Sequence, residues 1–125
     1  MRKEIITYTD YNGVERTEEF YFNLNHVELT EMESSVEGGM TDMMKGLVAS
    51  ENQEGLIKIL KTLILKAYGV KSADGRQFIK SEELSREFSQ TEAYPMLFMK
   101  LATDDQYTAE FVKGIMPKDL RGATN

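Results

Sequence analysis

Residues Gly55 to Gly69, GLIKILKTLILKAYG, limit what this chain can fold into more than any other stretch of it. Leu56, Ile59, Leu60, Leu63, Ile64 and Ala67 recur at the i, i+3, i+4, i+7 spacing of one helical face, and Ile57, Leu65 and Tyr68 widen that face onto its flanks. Lys58, Lys61, Thr62 and Lys66 are left to reach water. A helix with so narrow a polar stripe needs cover on several sides, so the remaining elements are expected to pack around it. Asn52 reads as its N-cap, Glu54 favours the positive end of the helix dipole, and Gly69 reads as the left-handed residue that stops it. The run is too short and too rich in lysine to span a bilayer, which needs about 20 apolar residues.

A chain of 125 residues is expected to form one domain, with a globular part over 1–117 and a flexible tail over 118–125 where little apolar surface remains. The formal charge of −6 argues against nucleic acid as a partner, because phosphate binding needs clustered Lys and Arg, and leaves cationic partners open. With no cysteine there are no disulfides, thiol nucleophiles or thiolate metal sites. The opening Met-Arg-Lys-Glu-Ile-Ile-Thr has no long apolar region, so no signal peptide is expected, and the expected location is soluble and cytoplasmic.

Residues 3–24 read as a β-hairpin. Asn12-Gly13 is the signal of a two-residue type I′ turn, which requires positive φ at both positions. That turn would pair Tyr11 with Val14, Thr9 with Arg16, Thr7 with Glu18 and Ile5 with Phe20. Ile5, Phe20 and Phe22 would then share one face, and Ile6, Tyr8 and Tyr21 the other. A small helical core covers one of these faces, so Ile6, Tyr8 and Tyr21 are candidates for a partner-binding surface, beside two open strand edges.

The helical part, 25–117, is expected to hold about five to six short helices. Asn25 with Glu28 forms a capping box, with Leu24 and Leu29 at the hydrophobic-staple positions, and Leu29, Met32 and Val36 make the buried stripe before Gly38-Gly39. Glu28, Glu31, Glu33 and Glu37 around that stripe read as a solvated face, since no histidine or aspartate spacing accompanies them. Thr41 caps a second helix with Met40, Met43, Met44, Leu47 and Val48 on its apolar side, weakened by Gly46 at a cost of about 1 kcal/mol against Ala. After Gly69, Ser72-Ala73-Asp74-Gly75 resembles a calcium loop, but with Gly75 at the sixth position the first and twelfth fall on Val70 and Ser81. A tight turn leading into the extended piece Gln77-Phe78-Ile79 is the expected structure. Ser81 caps a helix from Glu82 to Phe88. Thr91 opens the next, with Tyr94, Leu97, Phe98 and Leu101 buried and Pro95 distorting its start. Thr103 to Gln106 is a further capping box before Tyr107, Phe111, Val112 and Ile115, and Pro117 ends that helix. The expected fold class is mostly α (α+β): an N-terminal β-hairpin packed on this bundle around the central apolar helix.

No catalytic constellation is visible. The single histidine, His26, falls at the first position of a capped helix, and there is no serine elbow, thiol or glycine-rich phosphate loop. No cofactor, metal or enzymatic activity is expected. The unusual inventory is methionine: Met32, Met40, Met43, Met44, Met96, Met99 and Met116 supply soft apolar surface of the kind that binds varied partners. Met40, Met43, Met44 and Leu47 are therefore further candidates for partner contact, since the glycines before and among them keep their helix weak.

The hairpin ITYTDYNGVERTEEFYFNL over 6–24, then VELTEME, LKAYG, FIKSEELSREFSQTEAY and LFMKLATDD in order, resembles the tail assembly chaperones of long-tailed phages and prophages. The resemblance implies a non-enzymatic protein, acting in the cytoplasm of the bacterial host, that binds the tape-measure protein, keeps it soluble, promotes polymerisation of tail-tube subunits around it and is absent from the mature virion. A homo-oligomer fits that role, as does a longer frameshifted form. A structural tail or neck component retained in the virion is the alternative. Neither nucleic acid nor membrane is an expected partner.

Overall fold

Asp10 sets the register of the hairpin. The computed structural model describes residues 1–35 and 53–118, and in it β1 (Arg2–Thr9) and β2 (Glu15–Phe22) pair antiparallel, with Thr9 opposite Glu15, Ile6 opposite Glu18 and Arg2 opposite Phe22. The connection is not the expected two-residue turn. Gly13 N–H donates to Asp10 C=O at 3.0 Å, Asp10 N–H donates to Val14 C=O at 2.9 Å, and Gly13 alone has positive φ, at 80°, where a type I′ turn would need Asn12 positive as well. Asp10 Oδ1 accepts from the backbone N–H of Asn12 and of Val14, at 2.9 and 3.0 Å, which favours a four-residue turn with Asp first and Gly fourth. The loop is thus Tyr11-Asn12-Gly13 with a bulge at Gly13, one residue longer than expected.

That residue moves one strand by one place against the other, and a shift of one changes which side chains share a face. Glu4, Ile6 and Tyr8 lie with Phe20 and Phe22 on the covered face, where Ile6 and Tyr8 are each 8% exposed, while Ile5 faces outward at 60% exposed. The expected grouping of Ile6, Tyr8 and Tyr21 against Phe20 and Phe22 is therefore corrected: Ile6 and Tyr8 belong to the core, and Tyr21 lies on the outer face with Ile5.

The hairpin is also not alone. Tyr68–Lys71 forms β3 and Phe78–Ile79 forms β4, giving a four-stranded antiparallel sheet in the order β1-β2-β3-β4. The helices described are α1 (His26–Ser35), α2 (Gln53–Ala67), α3 (Glu82–Ser89), α4 (Ala93–Thr103) and α5 (Asp105–Ile115). The apolar helix α2 stops two residues before Gly69, which pairs with Tyr21 as a strand residue and has no positive φ. The glycine is needed there for another reason: a Cβ would stand 2.7 Å from the Phe78 ring and 2.9 Å from the Ile79 carbonyl oxygen. Burial of α2 among the described residues is one-sided. Leu60, Leu63, Ile64 and Ala67 are buried, whereas Ile57 is exposed with Lys58, Lys61, Thr62 and Lys66. The helix packed against β1 and against α2, α3 and α5 is α4, through Ala93, Leu97 and Leu101. The turn at Ser72–Gly75, closed by Gly75 N–H to Ser72 C=O at 3.0 Å, joins β3 to β4 as expected.

Caps follow the sequence with two shifts. Asn25 and Glu28 form the capping box, each backbone N–H reaching the other's side chain at 3.0 and 2.8 Å, and Ser81 Oγ accepts from Leu84 N–H at 3.0 Å. Thr91 does not cap α4; its hydroxyl donates to Phe88 C=O at 2.8 Å and closes α3. Thr103 stays inside α4, its hydroxyl bound to Met99 C=O, so Asp104 caps α5 instead through Tyr107 N–H at 3.0 Å. The helix expected around Met40 to Val48, the end of α1 at Gly38-Gly39, and the tail from residue 119 lie outside the described residues.

The two registers differ in a measurable way. Ile6→Lys places a charge in the core and should unfold the chain or cost more than about 4 kcal/mol in urea titration, while Ile5→Lys should stay within about 0.5 kcal/mol of wild type. Equal tolerance of both would return the register to the two-residue turn.

Candidate partner-binding surface

The outer face of the hairpin is built from alternate residues of β1 and β2. Lys3, Ile5 and Thr7 lie opposite Tyr21, Glu19 and Thr17. Thr7 and Thr17 share a hydroxyl hydrogen bond at 2.9 Å, Tyr21 donates to Glu19 at 2.8 Å, and Lys3 lies 3.7 Å from the same carboxylate. The Lys71 ammonium sits 4.4 Å from the centre of the half-buried Tyr21 ring, within cation–π range. The hydrogen bond from Tyr21 first, and the charge of Lys3 second, hold the Glu19 carboxyl below its ordinary value. Ile5 stands in the middle of this polar lattice as an exposed aliphatic side chain.

At the tip, Tyr11 is 75% exposed and Val14 is exposed beside it. The Arg16 guanidinium donates to Asp10 at 2.6 Å, and that bond, with the backbone N–H of Val14 next in weight, lowers the Asp10 pKa. The Tyr11 hydroxyl donates to Glu92, just ahead of α4, a bond that raises the phenol's pKa and ties the exposed tip to the helical body. β3 pairs with Tyr21 and Phe22 alone, so the hairpin runs on past β3 as an arm whose inner face, through β1, lies against α4 and α5. On α4, Met96 and Met99 point to solvent.

The root of the arm is pinned from two sides. Glu4, buried on the covered face, accepts from Arg2 Nε at 2.6 Å and from the Tyr107 hydroxyl of α5. Burial first, then the hydrogen bond to Glu4, pushes the Tyr107 phenol far above its ordinary range. At the other corner, Asn23 N–H donates to Ala67 C=O and Leu24 N–H to Ile115 C=O, both at 2.8 Å, so the chain leaving β2 ties down the ends of α2 and α5. The Lys80 ammonium completes the corner: it donates to both oxygens of Glu28, to Asn23 C=O and to Lys66 C=O at the end of α2. Burial lowers the Lys80 pKa, against the opposing hydrogen bond and charge of Glu28.

Of the residues expected to meet a partner, Tyr21 lies on the outer face, Ile6 and Tyr8 are in the core, and Met40, Met43, Met44 and Leu47 lie outside the described residues. The Tyr8 ring packs toward Phe20, and its hydroxyl donates to Glu18. The exposed apolar positions that the turn misreading hid are Ile5, Tyr11 and Val14. The run Asp10-x-Asn12-Gly13, with Asp first and Gly fourth, is the signal that would have revealed them. Among the described residues no group of three or more His, Asp or Glu is placed to hold a metal ion, and no helix is long and apolar enough to cross a membrane.

A mixed α+β fold with an ordered hairpin arm, and with its polar side chains engaged in structural bonds, has the features of a binding module. The family described as phage tail assembly chaperone matches residues 1–125, and the chain belongs to that family. It is not a known enzyme family. No curated protein and no solved structure matches the chain.

Two predictions follow from the pins of the arm. Lys80→Met strands the Glu28 charge and two carbonyls, and should cost about 2–3 kcal/mol, while Glu28→Gln with Lys80→Met should lose less than the sum of the single changes by about 1 kcal/mol. Denaturant titration of the four proteins of this cycle measures both. Asp10 has a depressed pKa in the folded chain, so its contribution is complete above its ordinary value of 3.8 and is lost as pH falls through the lower folded value. Thermal unfolding below pH 4 should therefore fall more steeply for wild type than for Asp10→Asn, which keeps the turn's acceptor and loses the charge.

Proposed function

We propose that this chain binds the tape-measure protein of a long-tailed phage or prophage, keeps it soluble, and promotes polymerisation of tail-tube subunits around it. Membership of the tail assembly chaperone family over residues 1–125 carries the reading. It acts by binding and not by catalysis, in the cytoplasm of the bacterial host, and leaves before the virion is complete. The binding unit is residues 1–117.

The arm supports a role in contact. Ile5 and Tyr21 on its outer face, with Tyr11 and Val14 at its tip, offer apolar surface framed by charge, and Met96 and Met99 add adaptable side chains on α4. Met40, Met43, Met44 and Leu47 extend the same inventory. Self-association runs through the hairpin, whose strands carry backbone donors and acceptors along their outer edges. Several joined copies hold a long helical partner with greater avidity than one contact supplies.

Co-expression with the neighbouring tape-measure protein should raise the soluble fraction of the latter, and mass spectrometry of purified virions should find this chain missing. Its presence at tail-ring or tail-tube stoichiometry would instead establish a retained structural component. Ile5→Lys with Tyr21→Lys should leave the fold intact and lower the mass seen by light scattering; an unchanged oligomer, or a wild-type monomer at high concentration, removes the hairpin from self-association.

A further inference from the structure

The polar stripe of α2 is cationic, and the fold turns it into one wall of a groove. Lys58, Lys61, Thr62 and Lys66 follow one another at i, i+3, i+4 and i+8, a track about 12 Å long at 1.5 Å per residue. The opposite wall is α3, which brings Arg86 and the side chains of Ser85 and Ser89. Leu65 and Tyr68, both half-buried, also line the groove, and Lys80 with Glu28 closes one end; the volume is about 860 Å³. With Lys80 and Glu28 joined as an ion pair, four cations line the rest, against the one carboxylate of Glu82. This concentration of positive charge stands in a chain of net charge −6. The Lys66 charge also lowers the pKa of Lys80, as the smallest effect after burial and the opposing hydrogen bond and charge of Glu28.

We propose that this groove is a docking site for an acidic amphipathic helix of a partner protein. Carboxylates at helical spacing would lie along Lys58, Lys61 and Lys66 on one side and meet Arg86 on the other, while apolar side chains of the same helix would cover Leu65 and Tyr68. The groove's mixed lining favours a helix over a nucleic acid strand. Leu65 and Tyr68 offer apolar cover that the leucines of a helix can use and a phosphate backbone cannot, while Glu82 in the lining opposes either anion. The hydroxyls lining the groove already serve the fold: Thr62 donates to Lys58 C=O, Ser85 to Leu65 C=O and Ser89 to Arg86 C=O. Recognition therefore rests on charge and apolar cover. The proposal deepens the chaperone reading by naming the chemistry of one partner surface, and it rests on that reading for the biological partner.

The probe is a labelled synthetic helix of about 20 residues, with glutamates on one face and leucines on the other, titrated against the full chain by fluorescence anisotropy. Saturable binding is expected, weakening as salt rises from roughly 50 to 300 mM. Lys58→Glu with Lys61→Glu, both exposed, should keep the circular dichroism spectrum and lose at least about tenfold in affinity. A peptide with lysine in place of each glutamate should bind that variant better than it binds wild type. Equal binding of a scrambled peptide, equal affinity of the variant, or tighter binding of a single-stranded oligonucleotide of matching charge would overturn the proposal. Co-expression separates the two readings. A chain that solubilises the tape-measure protein but fails these titrations loses the groove and keeps its chaperone role, whereas one that passes them without solubilising it keeps the groove alone.

Discussion

Phe22 is the contact on which the remaining structure depends. It is the last residue of β2, fully buried, and its ring meets Tyr68 at 5.8 Å, Phe88 at 5.8 Å and Phe111 at 5.4 Å. Those three rings come from β3, α3 and α5, so one side chain brings together elements spread over most of the described chain. The stack of Tyr68 on Phe88, with ring centres 4.5 Å apart and planes within 11°, fills the space beside it, and Phe20 extends the cluster along β2. Tilted and edge-to-face rings interlock in definite orientations, which Leu and Ile alone would not impose. The register of the hairpin matters for this reason: only one alternation puts Phe20 and Phe22 over the helices together with Ile6 and Tyr8.

A polar junction secures what the aromatic cluster positions. Between Phe22 and His26 the backbone N–H groups of Asn23 and Leu24 reach the ends of α2 and α5, while Lys80 donates to the carbonyls of Asn23 and Lys66 at once. A lysine so placed has a double role, because helix C-termini favour cations and the Glu28 carboxylate needs a partner once half-buried. Glu28 in turn belongs to the capping box of α1. Local capping and long-range pinning therefore share one carboxylate.

The result is a body with its apolar surface gathered inward and an arm that carries a few apolar side chains outward. Five of the 15 Lys and Arg residues line the groove between α2 and α3, while on the hairpin Arg2, Lys3 and Arg16 are interspersed with acidic residues.

Signals confined to neighbouring residues were legible in the sequence. The Asn25 and Glu28 box, the Ser81 cap, the Ser72–Gly75 turn and the buried stripe of Leu97 and Leu101 all depend on side chains a few positions apart, and they formed where that spacing placed them. Asn12-Gly13 was misread because two turn chemistries share those residues, and Asp10, three places earlier, selects between them. Tertiary structure decided the rest. Tyr68 and Gly69 read as the end of a helix by themselves, yet they become strand because β2 offers a ladder and Phe78 packs against a residue without Cβ. Periodicity marked the covered face of α2, with Leu60, Leu63, Ile64 and Ala67, and its exposed stripe, with Lys58, Lys61, Thr62 and Lys66, but which elements supply the cover depends on parts far away in sequence. The sequence by itself therefore marked the described helices, the caps at Asn25 and Ser81, and the existence of a hairpin. The third and fourth strands came from packing, because they are settled by contacts that no local window contains, whereas the register is already written in Asp10 beside Asn12-Gly13.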